Sequence, residues 1–274
     1  MMPPFAGQGL NSGIRDAVNL SWKIDEVLAG RAGDALLDTY EAERRPHAAA
    51  TIALSTRLGG IVMTTDRGRA MARDAVVAAA MRTPVGRRYL MDMRFRASPT
   101  FESSLTVETG GVDQSLVATL LPQPEVFLGS GHVRVRLDDV LGDGWSVLGI
   151  SVSEQDWSAI RHAGLPQASW VDVSLDDRSV RPALGRQAIT DVDGMLQSVF
   201  AGHQRVFILV RPDRVVAAVF APGHAGGVAH RLTRAGLVPA RPRVEDRTSR
   251  PDGGPALSAR SGSVRTVAEH ARPR

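Results

Sequence analysis

The chain has no cysteine. That single absence excludes a disulfide scaffold, a thiolate nucleophile, cysteine-ligated zinc and an iron–sulfur cluster. Lysine is almost as scarce: Lys23 is the only one, so every other basic side chain is arginine or histidine. No apolar run approaches the roughly 18–20 residues needed to span a bilayer. The opening Met1-Met2-Pro3-Pro4-Phe5 has neither the basic nor the apolar region of a secretory signal. The histidines are scattered, and His224 and His230 stand six apart, which is not a ligand spacing on one helix face. These absences leave the expectation of a cytoplasmic protein with no membrane segment and no metal site.

What is present supports a folded core. Apolar residues make up 43% of the 274, too many for a fully disordered chain. The net charge of +4 is concentrated at one end. Residues 241–274 carry eight arginines against four acids; without them the 33 basic and 29 acidic residues fall to 25 of each. A balanced body with no basic, aromatic-interleaved face predicts no nucleic-acid partner.

Four regions follow from patterning, and the class is α/β. Residues 1–95 read as helical. Leu10, Ile14, Ala17, Val18, Ser21, Ile24 and Leu28 recur at helical spacing, Gly30 and Gly33 close that helix, and Asp34 is a candidate N-cap for a second one. Leu36, Leu37 and Tyr40 are its candidate buried residues, and Pro46 is expected to end or kink it. Residues 96–140 read as a connector with short strands such as Val133 to Leu137. Residues 141–240 change period. Strands are expected from Trp145 to Ser151, Ser169 to Ser174, Val206 to Val210 and Val215 to Phe220, and helices from Glu154 to His162, Asp193 to Phe200 and Gly223 to Ala235. The order βαβ then αββα is that of a thioredoxin-like domain, one that has no thiol chemistry here. Residues 241–274, rich in Pro, Gly, Ser and Arg, are expected to be a disordered tail. Trp22 and Trp145 are candidate core anchors, and the adjacent pairs Asp138-Asp139 and Asp176-Asp177 read as turn residues.

The most informative stretch is the first: Pro3-Pro4-Phe5-Ala6-Gly7-Gln8-Gly9-Leu10-Asn11-Ser12-Gly13-Ile14-Arg15-Asp16-Ala17-Val18-Asn19-Leu20-Ser21-Trp22-Lys23. It predicts a rigid segment, a tight turn and the start of an amphipathic helix. Gly7 and Gly9 would let a ligand approach the backbone closely. The amides of Gly9, Leu10 and Asn11 would face outward with the positive end of the helix dipole, an arrangement that stabilises an anion or a carbonyl. The pattern of Gly7, Gly9 and Gly13 imitates a dinucleotide fingerprint, but the strand that must precede one cannot fit in six residues.

The same stretch resembles the second FAD motif of the class A flavoprotein aromatic hydroxylases, in particular those of the 3-(3-hydroxyphenyl)propionate and phenol hydroxylase type. Tyr40-Glu41-Ala42-Glu43-Arg44-Arg45-Pro46 resembles their next helix. Leu137-Asp138-Asp139-Val140-Leu141-Gly142 and Arg211-Pro212-Asp213-Arg214 resemble the start and the final hairpin of their C-terminal thioredoxin-like domain. The resemblance implies a helical C-terminal remnant of a Rossmann-like FAD and substrate domain, then that thioredoxin-like domain. It implies FAD as cofactor, NADH or NADPH as reductant and a small phenolic substrate, with a homodimer left open. Pro4, Gly7, Gln8, Gly9, Leu10 and Asn11 become the flavin-binding candidates, Pro4 near the flavin C4a position where oxygen is activated. The family's first, Gly-rich FAD motif and its Gly-Asp segment have no counterpart here, so a chain truncated at its N-terminus is expected. A non-catalytic module acting through oligomer or partner contacts is the alternative.

Overall fold

The computed structural model describes residues 8–94, 101–129, 133–175 and 185–238. Four helices come first: α1 (Gln8–Leu28), α2 (Ala35–Val62), α3 (Arg67–Met81) and α4 (Pro84–Met91). α1 ends where Gly30 turns left-handed, at φ 69°, a conformation that costs glycine nothing. α2 starts after Asp34, whose side chain makes no cap bond; the turn is closed instead by the Leu36 amide on the Gly33 carbonyl at 3.0 Å. Leu36 is fully buried, whereas Leu37 and Tyr40 are only half-buried. α2 runs unbroken through Pro46. Of the end or kink expected there, the end does not occur. α3 and α4 are capped by Asp66 and Thr83, which accept from the amides of Arg69 and Gly86. Neither helix buries a side chain.

A seven-stranded sheet follows. Its strands are β1 (Glu125–Leu128), β2 (Arg134–Arg136), β3 (Trp145–Ile150), β4 (Ala168–Ser174), β5 (Gln187–Asp191), β6 (Val206–Val210) and β7 (Val216–Phe220). Their order is β2-β1-β5-β4-β3-β6-β7. β3, β4 and β5 are parallel neighbours and the remaining pairings are antiparallel. The connecting helices are α5 (Leu137–Leu141), α6 (Glu154–Ile160), α7 (Met195–Val199) and, after β7, α8 (Ala225–Arg234). The unit β3-α6-β4, then α7-β6-β7-α8, is the expected βαβ–αββα order. Two strands had no counterpart in the sequence reading: β5, inserted between β4 and α7, and β1, which continues the sheet toward β2.

Alternate residues of the central strands face opposite ways, as a pleated sheet requires. Val147, Phe207 and Leu209 pack on one side with Trp157 and Ile160 of α6, Val228 and Leu232 of α8, and Trp22 and Leu36 of the leading helices. Leu148, Ile208 and Val210 pack on the other with Val140 and Leu141 of α5 and Leu196 and Phe200. Segment 101–121 lies along the outer edge of β7: the Val107 amide donates to Ala217 at 2.7 Å and the Ala118 amide to Val216 at 3.0 Å. That cover leaves little of the edge free for another chain to pair with. The turn between α1 and α2 is clipped to the end of α8, with the Gly33 amide donating to Gly236 and the Val238 amide to Arg31, each at 2.8 Å.

Gly149 in β3 shows how tightly this core is filled. A Cβ there would meet Trp157 Cζ2 and Val152 Cγ2, each at 2.5 Å. Gly149→Ala is therefore expected to destabilise the fold by about 1–3 kcal/mol, the usual range for overpacking, read as a lowered midpoint in urea unfolding.

Candidate flavin-facing site

α1 turns its apolar stripe outward. Leu10, Ile14, Val18, Ile24 and Leu28 form the helical stripe, yet they are exposed, Leu10 to 77% and Leu28 to 82%. The buried stripe is polar: Ser12, Asn19, Lys23 and Glu26, with Trp22 beside them. These polar positions also recur at helical spacing, so the signal was in the sequence, but an apolar stripe is ordinarily the buried one.

A cluster of charges holds the buried polar stripe. The Glu43 carboxylate on α2 is fully buried and accepts from both ends of the Arg211 guanidinium, at 2.6 and 2.8 Å. It also accepts from Lys23 Nζ at 2.9 Å, Asn19 Nδ2 at 2.7 Å and Ser103 Oγ at 2.5 Å. Arg211 turns its remaining donors to Asp213, at 3.0 and 2.6 Å, and Asn19 Nδ2 reaches Asp213 at 2.9 Å. Two cations and two carboxylates thus neutralise each other out of contact with water. The Arg211 guanidinium lies 5.2 Å over the Trp22 ring, and Trp22 meets Trp145 of β3 edge to face at 5.6 Å. Hairpin residues Arg211 and Asp213, read from sequence as turn residues, therefore tie the sheet to α1 and α2. Both tryptophans are core anchors as expected.

A second pin lies nearer the start of α1. Arg44 Nε donates to Asp16 at 2.6 Å, and the Arg44 guanidinium sits 5.7 Å over the Phe101 ring. His47 beside it is held below the usual imidazole range by burial and by the charges of Arg44 and Arg15. Burial pulls the Lys23 ammonium down to about 8 despite Glu43. Burial would raise Glu43, but the hydrogen bonds and charge of Arg211, helped by Lys23, hold it at about 2.

The candidate flavin residues sit at the free end of this pinned helix. Gln8, Gly9, Leu10 and Asn11 form the first turn of α1, and Gly9, Leu10 and Asn11 are exposed. A helix that begins at Gln8 leaves the amides of its first turn, those of Gln8, Gly9 and Leu10, without acceptors inside the helix. Among the described residues nothing lies within 4 Å of a Cβ built on Gly9 or on Gly13, so these leave the approach to the backbone open. Pro4 and Gly7 lie outside the described residues. Among the described residues no cluster of three or more His, Asp or Glu could hold a metal ion, and no helix is long and apolar enough to cross a membrane.

The fold is that of the flavin-dependent monooxygenases. The structure aligns with the crystal structure of the flavin-dependent monooxygenase PieE in complex with FAD and substrate at a TM-score of 0.59 and 24% identity, over 86% of this chain and 45% of that one. It aligns with chromopyrrolic acid-soaked RebC with bound 7-carboxy-K252c at 0.56 and 23%, over 86% and 43%. Sequence narrows the kinship. Residues 1–55 match the FAD binding domain family and residues 118–235 the HcaD C-terminal domain family. The chain is 36% identical over 228 residues to a 3-(3-hydroxy-phenyl)propionate/3-hydroxycinnamic acid hydroxylase of Burkholderia vietnamiensis (80% of this chain, 41% of that protein) and 39% over 231 residues to one of Mycobacterium avium (79% and 38%). The chain is thus similar to these hydroxylases over most of its own length, and it spans about two fifths of theirs.

The charge cluster makes its own prediction. Glu43→Ala leaves Arg211 and Lys23 buried without their shared partner and is expected to cost about 3–5 kcal/mol, whereas Lys23→Met, which leaves the Arg211 pairs intact, costs less. Glu43 titrates lower in the folded chain than in the unfolded one. Its contribution is therefore fully present above the unfolded value of 4.5 and is lost as pH falls toward about 2. Lys23 releases its proton near 8 when folded and near 10.5 when unfolded, so its effect on stability is a rise across that interval. Urea midpoints measured against pH for wild type and Lys23→Met separate the two limbs: the variant should keep the acid loss and lack this rise.

Proposed function

We propose that this chain supplies the flavin-facing edge of an FAD- and NAD(P)H-dependent monooxygenase that hydroxylates a small phenolic or other aromatic substrate. The observation that carries the reading is the first turn of α1, whose backbone is open at Gly9 and whose axis is held by the Asp16–Arg44 and Lys23–Glu43–Arg211 contacts. The names of the hydroxylase relatives support it. In this reading the amides of Gly9 and Leu10 bind the carbonyl edge of the isoalloxazine, with Gln8 and Asn11 adding polar contacts and Pro4 and Gly7 shaping the approach; the Asn11 amide, expected to join them, falls past the unpaired first turn of a helix that begins at Gln8. Negative charge on that edge is stabilised by the helix end, because the amides are already oriented and need no reorganisation. FAD, when bound, supplies the redox chemistry that activates oxygen. The pins fix where those amides point; they do not touch the reacting atoms.

Residues 1–95 would then serve the flavin, 141–240 would form the thioredoxin-like domain joined to them through 96–140, and the protein would work in the cytoplasm. A homodimer is the assembly to look for by light scattering.

The reading is tested by flavin fluorescence on the full chain. Riboflavin, which has only the ring system, is expected to compete with FAD, and ADP is not. Leu10→Pro deletes one first-turn amide at a position where proline is tolerated, and is expected to weaken flavin binding about tenfold with an unchanged melting profile. Displacement by ADP as effective as by riboflavin, or no effect of Leu10→Pro, would overturn it.

A further inference from the structure

α1 is bound to the rest of the chain through its polar face, by Asp16, Asn19 and Lys23. Its opposite face is therefore a fixed surface. Leu10, Ile14, Val18, Ile24 and Leu28 run along it, exposed by between 41% and 82%, with the exposed Ala17 and Ser21 among them. At 100° per residue these positions lie within a band about 120° wide. The one charge in that band is Asp25, which Arg31 already neutralises. A continuous apolar surface of this kind marks a contact with another molecule.

The stripe is symmetric along its own length. About the level of Asn19, Leu10 is matched by Leu28, Ile14 by Ile24 and Ala17 by Ser21. A twofold dimer requires such symmetry: in an antiparallel pair each position meets its counterpart on the other helix, and every contact is made twice. A partner of unrelated sequence imposes no such pattern. Large side chains at both ends and small ones at the centre let two helices cross closely at Ala17 and Ser21. The Ser21 hydroxyl donates to the Val18 carbonyl at 3.2 Å, so covering it strands no donor.

Charge also fits a second copy. α1 has no acid in its first turn and no base in its last, so its own side chains compensate neither pole of its dipole. Antiparallel pairing sets each pole beside the opposite pole of the second copy. Asp25 then falls opposite Gly13, and the two Asp25 side chains stand about 18 Å apart along the axes. The exposed apolar face of α3, with Met71 and Val76, does not fit in this way, because the same pairing would bring Arg67 and Arg69 of one helix to Arg82 of the other. We propose that two copies of this chain pair through α1, antiparallel, with Ile14 of each against Ile24 of the other. The proposal rests on the homodimer looked for above and names its face; it does not rest on the flavin reading, which concerns the backbone at the end of α1. A stripe one helix wide and about 30 Å long is at the small end of specific interfaces, so the dimer is reversible, with a Kd on the order of 10 µM.

The experiment is sedimentation velocity on the full chain, from concentrations well below that Kd to well above it. A single monomer–dimer equilibrium is expected. Ile14→Asp should weaken it at least about tenfold with unchanged melting of the monomer, because Ile14 is already 53% exposed there. Disulfides read the register, since the chain has no cysteine of its own to compete. With oxidised glutathione, Ile14→Cys chains mixed with Ile24→Cys chains should cross-link. Neither variant alone should, because identical positions stand about 15 Å apart along the axes, too far for a disulfide. A monomer at every concentration would sink both the face and the homodimer, and its flotation with phosphatidylglycerol vesicles would assign the stripe to a membrane surface instead. A dimer indifferent to Ile14→Asp, cross-linking as strong in one variant alone as in the mixture, or growth past the dimer would sink the face while leaving self-association standing.

Discussion

The contact on which the leading helices depend is the Glu43 carboxylate held between Arg211 and Lys23. It joins three parts of the chain far apart in sequence: α1, α2 and the β6–β7 hairpin. A buried ion pair alone is poor evidence of net stability, because each charge gives up its water to get there. This one is nearly saturated. Glu43 accepts five contacts, and the fork of Arg211 matches it at both oxygens. The geometry therefore specifies a single orientation of α1. A helix packed by apolar side chains could turn by a residue and still bury most of its stripe, but a helix held through Asn19 and Lys23 would lose several hydrogen bonds at once.

This specification explains why α1 presents Leu10, Ile14 and Val18 outward. The inward face is reserved for polar residues that make definite bonds, and the apolar residues take what remains. It also connects the hairpin to the first turn of α1. Arg211 and Asp213 sit at the end of the sheet, yet through Asn19 and Lys23 they set the direction in which the Gly9 and Leu10 amides point. The sheet thus acts on the candidate flavin edge by positioning the helix that bears it.

The strands and helices from Trp145 onward were legible because most central strands bury both faces and read as short apolar runs, while α6 carries its Ser153–Asp156 capping box. β5 was not legible. Gln187-Ala188-Ile189-Thr190-Asp191 has two polar ends and one large apolar residue, and it becomes a strand only because β4 and β1 lie on either side of it. β1, Glu125-Val126-Phe127-Leu128, is apolar enough but is only four residues long. In the candidate site, the glycine turn and the helix start could be read from residues 7–13. The orientation of α1 could not be, because it comes from Arg211, about 190 residues further on, and periodicity within one helix carries no information about a partner so distant.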